Sequence, residues 1–118
     1  MRLLLLGGNG QVGHELRRSL APLGEVVPAT RDGRLADGRA CELADLARPE
    51  TLAPLVGRLA PDGVINAAAY TAVDRAEDEP GLAWRINAEA PAELARASAA
   101  RGIPLVHFTS DYVFDGSA

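Results

Sequence analysis

The chain contains no lysine, and all twelve of its basic residues are arginine. Those arginines are scattered, with Arg17 and Arg18 the densest pair, so no basic stripe exists to track a nucleic-acid backbone. Cysteine is nearly absent as well. Cys41 stands alone, which excludes an internal disulfide and points to a reducing compartment. With no base beside it in sequence, Cys41 reads as a small buried apolar residue and not as a nucleophile. Aromatic residues make up only 4% against 47% hydrophobic, so the core must be aliphatic. Long apolar runs are missing too. "MRLLLL" resembles the start of a signal peptide but stops at Gly7, short of the roughly 7–15 apolar residues such a segment needs. No stretch approaches membrane-spanning length. A cytoplasmic protein with no membrane or nucleic-acid partner is expected. His14, His107 and Cys41 lie too far apart in sequence to make a metal-ligand spacing, so no metal is expected.

What is present is enough for one domain. At 118 residues the chain can bury about two thirds of the surface its unfolded form exposes. Four short runs, "RLLLL" (2–6), "EVVPA" (25–29), "GVIN" (63–66) and "IPLVHF" (103–108), are almost continuously apolar. That pattern marks strands buried on both faces, as in a parallel sheet. Pro28 and Pro104 require strand ends or edge positions, because proline cannot donate to a ladder. Between the runs lie "QVGHELRRSLAPLG", "RPETLAPLVGRLAP" and an alanine-rich stretch over 80–102. Val12, Leu16, Leu20 and Leu23 fall on one helical face of the first. Pro91 should kink or divide the third. Trp84 reads as packing on the core or a helix face, and His107 as a core histidine. The fold class predicted is α/β: a partial Rossmann-like doubly wound parallel sheet of about four strands, order 3-2-1-4. Its fourth strand would have an unpaired outer edge, which leaves a homo-oligomer open.

The stretch "GGNGQVG" (7–13) sits between the first strand and the first helix. Two glycine rulers fit it: Gly8, Gly10 and Gly13, or Gly7, Gly10 and Gly13. Either way a strand, a turn with few Cβ atoms and a helix N-terminus come in the order a dinucleotide phosphate requires. At the end of the second strand a carboxylate usually takes the ribose hydroxyls of NAD. Here Thr30 and Arg31 stand, with Asp32 beyond them. Arginine suits a 2′-phosphate, which favours NADPH with NADH the alternative. Glu42 could accept from an adenine amino group while Leu43 packs on the ring; the plain alternative is an exposed acid beside a core leucine. Ala67, Ala68 and Ala69 would admit a flat cofactor against the backbone, or simply allow tight helix–sheet packing.

"GGNGQVG", "CELAD", "NAAAYTAVDRAEDEP", "INAEAP" and "LVHFTSDYVFDG" together resemble the dTDP-4-dehydrorhamnose reductase family, extended short-chain dehydrogenases that reduce a 4-keto sugar nucleotide. The resemblance spans essentially the whole chain, and it selects Gly7, Gly10 and Gly13 as the aligned set. It implies that Gly10, Gln11 and Val12 meet the cofactor pyrophosphate, that Thr30 and Arg31 lie by the adenosine ribose, and that Glu42 stands where aspartate is usual. It further implies that Ala69, Tyr70 and Thr71 pass along the cofactor, that Val73 lies close to the sugar site, and that Asp111 and Tyr112 flank a dTDP-sugar substrate. Ser110 aligns with the catalytic hydroxyl residue of the family, usually threonine.

The family's remaining catalytic pair is Tyr-x-x-x-Lys. Tyr70 and Tyr112 are followed at that spacing by Asp74 and Gly116, and no lysine exists to serve. The chain therefore reads as an NAD(P)-binding domain over 1–118, cut before that motif and the substrate lobe, and inert alone. Two other readings are a nucleotide-binding regulatory module resembling the beta subunit of methionine adenosyltransferase, and another extended short-chain sugar-nucleotide enzyme such as an epimerase.

Overall fold

Each apolar run pairs with its neighbour in parallel. In the computed structural model, which describes residues 1–8, 11–68, 81 and 84–107, β1 (Arg2–Leu6) lies between β2 (Glu25–Thr30) and β4 (Gly63–Asn66). β5 (Leu105–His107) extends the sheet beyond β4. The sequence predicts about four strands, and the described residues form five in the order β3-β2-β1-β4-β5. The addition is β3, only Glu42–Leu43, which pairs with Ala29 and Thr30 outside β2; the run at 63–66, third of the four predicted, lies instead beside β1. Two residues, one of them charged, carry no apolar run by which sequence could find them.

The alternation along β1 sends its leucines to two cores. Leu4 and Leu6 join Leu52, Leu55, Val56, Val64, Ile86 and Leu94 on one face. Leu3 and Leu5 join Ile65 and Ala67 on the other, where Val12, Leu16 and Leu20 of α1 (Gln11–Leu20) cover them. Helices α2 (Leu52–Leu59) and α3 (Ala90–Arg101) pack over the first face. Burying both faces of a strand is what makes "RLLLL" continuous instead of alternating.

Prolines are placed by their missing donors. Ala29 C=O accepts from Gly7 N–H towards β1, so Pro28 points its nitrogen the other way, to the outer edge where β3 does not reach. Pro91 stands in the first turn of α3, where its N–H would be unpaired anyway. The expected break appears just before it as a π-helical turn, Arg85–Glu89, closed by Ala90 N–H to Arg85 C=O.

Three packing expectations are corrected. Leu23 is 58% exposed because a 3-10 turn, Ala21–Leu23, ends the helical period before it. Trp84 is 64% exposed at the start of the π turn. His107 is an exposed residue of the β5 edge, not a core one, because among the described residues no strand lies beyond β5.

Candidate nucleotide site

The glycine turn is settled by sterics. Gly7 leaves β1 with φ of +83°, a region that disfavours any Cβ. A Cβ there would also stand 2.6 Å from the Ala68 nitrogen. Gly13 is tighter: its Cβ would meet the Gly7 carbonyl oxygen at 2.0 Å, so α1 can approach the strand end only because Gly13 lacks a side chain. Gly8 differs. Its Cβ would press closely only on the Pro28 side chain, at 3.1 Å, and its φ is ordinary. Gly7 and Gly13 are thus the structural pair, and Gly10 lies outside the described residues. The Gly7 and Gly8 N–H groups both donate to Ala29 C=O, at 2.8 and 3.3 Å, which ties the turn to β2. Gln11 opens α1, and Val12 is half-buried over the α1-side core.

The loop after β2 is organised around Thr30. This residue is 4% exposed. Its hydroxyl accepts the Arg34 N–H at 2.9 Å, lies 3.1 Å from Asp32 Oδ1 and 3.0 Å from Arg34 C=O, and meets Cys41 Sγ at 3.4 Å. Hydrogen bonds from Arg34 N–H and then Thr30 hold the Asp32 carboxyl below the ordinary aspartate range. Arg31 is left exposed at the strand end. Cys41, expected to be buried, is half-buried beside Thr30.

On β3, the Glu42 carboxylate receives Arg58 Nη2 from α2 at 2.5 Å, and that bond raises the Arg58 pKa. Leu43 is 60% exposed, so it is not a core leucine and offers an open apolar face. At the end of β4, Ala67 is buried and Ala68 half-buried, directly beneath Gly7. The predicted Ala69, Tyr70, Thr71, Val73, Ser110, Asp111 and Tyr112 all lie outside the described residues. So Gly7, Gly13, Thr30, Arg31, Glu42, Leu43 and Ala68 gather along the C-terminal edge of one parallel sheet, where open α/β sheets take their ligands.

Sequence reasoning missed Asn66. It is fully buried, its Oδ1 accepts the Ala68 N–H at 3.1 Å, and its Nδ2 faces His107 Nδ1 at 3.0 Å. A polar residue closing the apolar run "GVIN" was the available signal. Among the described residues, no three His, Cys, Asp or Glu side chains come together as a metal site, and no helix is long and apolar enough to cross a membrane.

A parallel sheet with helices on both faces, a left-handed glycine after β1 and a helix packed onto it define a Rossmann-like domain. The chain belongs to the family described as RmlD substrate binding domain, whose model matches residues 1–118. It is 52% identical over 117 residues to a dTDP-4-dehydrorhamnose reductase of Burkholderia thailandensis, covering 99% of this chain and 36% of that protein. Among solved structures, it superposes on a hypothetical dTDP-4-dehydrorhamnose reductase of Sulfolobus tokodaii with a TM-score of 0.78 at 38% identity, covering 99% of this chain and 42% of that one. A dTDP-4-dehydrorhamnose reductase of Bacillus anthracis in complex with NADP gives 0.73 at 33% identity, covering 99% and 39%. The chain thus spans little more than a third of the length of the curated relatives it matches.

Proposed function

We propose that this chain is the cofactor-holding portion of an NADPH-dependent dTDP-4-dehydrorhamnose reductase. The observation that carries the reading is the Gly7–Gly13 contact, which only a closely packed strand–turn–helix unit needs, on a chain whose relatives bear that name. Bound there, the dihydronicotinamide supplies the hydride that turns a 4-keto group into an alcohol. The residues present fit such a group. Gly7, Gly10, Gln11, Val12 and Gly13 form the pyrophosphate turn at the head of α1. Exposed Leu43 takes one face of the adenine, and exposed Arg31 the 2′-phosphate. Thr30 shapes the ribose end through its loop, since its hydroxyl already has partners within the chain. Glu42 reaches the adenine only if it leaves Arg58.

Ala68, Ala69, Tyr70 and Thr71 line the path towards the nicotinamide. Val73, Asp111 and Tyr112 border the sugar nucleotide, and Ser110 donates a hydrogen bond to the keto oxygen. The proton acid belongs to a Tyr–Lys pair that these 118 residues do not contain. The complete protein is the dTDP-sugar reductase.

The test is a titration of the protein from its complete reading frame with NADPH and NADH, followed by nicotinamide fluorescence. Both should bind, NADPH more tightly. Arg31→Ala should weaken NADPH about tenfold and leave NADH nearly unchanged. Absence of binding by either nucleotide refutes the reading.

A further inference from the structure

Three strands end side by side at the C-terminal edge of the sheet, and one buried amide joins them. Asn66 Oδ1 accepts the Ala68 N–H at 3.1 Å, which fixes the direction of the amide. The group it turns to His107 is therefore Nδ2, a donor only. Nδ2 lies 3.0 Å from His107 Nδ1. His107 must accept at Nδ1, so the ring is neutral and carries its proton on Nε2. The Ala68 nitrogen is also the atom beneath Gly7, 2.6 Å from where a Cβ would stand. Contacts thus run without a gap from His107 through Asn66 and Ala68 to the glycine turn.

We propose that His107 is a positioning residue of the nucleotide site: neutral, it holds Asn66, and Asn66 holds Ala68 in the place against which Gly7 turns. Protonated at Nδ1, the ring would set donor against donor and release that step. The same clasp ties the ends of β4 and β5 to each other at Asn66 and His107. The inference rests on the nucleotide-binding reading above.

Among the described residues, no ion pair or charged hydrogen-bond partner reaches the ring. Asn66 from β4 is neutral. On α3, the helix packed on β5, Glu93 and Arg96 pair with each other, and Arg101 is exposed at the end that leads into β5. Desolvation where this otherwise exposed residue packs on the sheet edge lowers the His107 pKa from the ordinary 6.5. Nucleotide affinity should therefore be full above that value and fall as pH drops through the lowered one.

The first measurement is ring-nitrogen NMR of His107 in the full-length protein without nucleotide. The Nε2–H tautomer with a midpoint below 6.5 is expected; an Nδ1–H tautomer, or a midpoint at or above 6.5, overturns the proposal. The second is binding of NAD⁺, which lacks the 2′-phosphate that would itself titrate near pH 6. Its Kd should rise about fivefold between about pH 7.5 and about pH 5. A Kd unchanged across the His107 midpoint refutes the positioning role. Asn66→Asp keeps an acceptor for Ala68 but sets a carboxylate opposite Nδ1. It should raise the His107 midpoint above 6.5 and abolish the loss of affinity in acid. His107→Gln, whose amide oxygen can accept in place of Nδ1, should bind at neutral pH without the acid response. The expected tautomer in a protein that binds no nucleotide at any pH would overturn the nucleotide reading itself.

Discussion

The glycine turn after β1 and the loop after β2 stand beside each other at the same edge of the sheet, and they are held by opposite means. The turn is held by exclusion: Gly7 and Gly13 occupy space that the backbone of Ala68 and of Gly7 leaves no atom's width to share. The loop is held by attraction, through one buried hydroxyl that Asp32, Arg34 and Cys41 all approach. Exclusion is rigid and intolerant. Hydrogen bonding is adjustable, and it depends on pH wherever a carboxylate takes part. In the proposed site, the rigid end is the one that would meet the part of a dinucleotide common to NADH and NADPH. The adjustable end is the one that would tell a 2′-phosphate from a hydroxyl.

The largest break in that comparison should come from Gly13→Ala. A Cβ placed 2.0 Å from the Gly7 carbonyl oxygen has no flexible neighbour to move, so α1 must lift from β1 and uncover Leu3 and Leu5. A loss of about 4 kcal/mol is expected, with a urea midpoint far below the parent's or no cooperative transition at all. A change below about 1 kcal/mol would show that the turn is not fixed by exclusion. Gly7→Ala comes next, at about 3 kcal/mol, from a φ of +83° and the contact with Ala68. Its nucleotide affinity should fall along with its stability.

Thr30→Val probes the other mechanism. Removing the hydroxyl deprives the Arg34 N–H of one of its two acceptors, the other being Asp32 Oδ1 at 3.2 Å. About 1.5 kcal/mol should be lost in denaturant melts. The variant also has a pH signature. Asp32 and Asp37 have folded pKa values lowered from 3.8, so the stability they add is complete above that value and disappears as pH falls through the lowered ones. Without the Thr30 bond, Asp32 should titrate closer to 3.8, and the acid limb of Tm against pH should flatten. An unchanged acid limb would mean that Thr30 is not what holds Asp32.

Much of this was legible because burial on two faces leaves a mark in sequence. The runs at 2–6 and 63–66 are almost continuous in apolar residues, and β1 and β4 follow them without a shift. What was not legible depends on contacts that close from a distance. The role of Thr30 appears only once residues 31–41 fold back, with an isolated bridge between Arg34 and Ala40, and no periodicity announces that. Asn66 and His107 are 41 positions apart and meet because β4 and β5 pair in that register. Leu23 keeps the helical spacing of Val12, Leu16 and Leu20 in sequence but not in space, since a tighter turn rotates it outward. Among the candidate residues, the glycines were the easiest to find. Their restriction is local, whereas a hydroxyl's partners are not.

The smallest expected effect is the most pointed, because it separates two glycines that are neighbours in sequence. Gly8 belongs to one of the two possible rulers and Gly7 to the other. At Gly8 a Cβ would press closely only on Pro28 Cβ at 3.1 Å, with the Arg17 stem and Pro28 Cα both at an ordinary contact distance of 3.8 Å. Arg17 can move aside, and Pro28 sits at a β2 edge that β3 does not constrain. Gly8→Ala should therefore cost under about 1 kcal/mol and leave nucleotide affinity within about twofold. If it proved as costly as Gly7→Ala, the strand end near Pro28 would be as unyielding as Ala68, and the contrast between a rigid turn and an adjustable second strand would fail where the two meet.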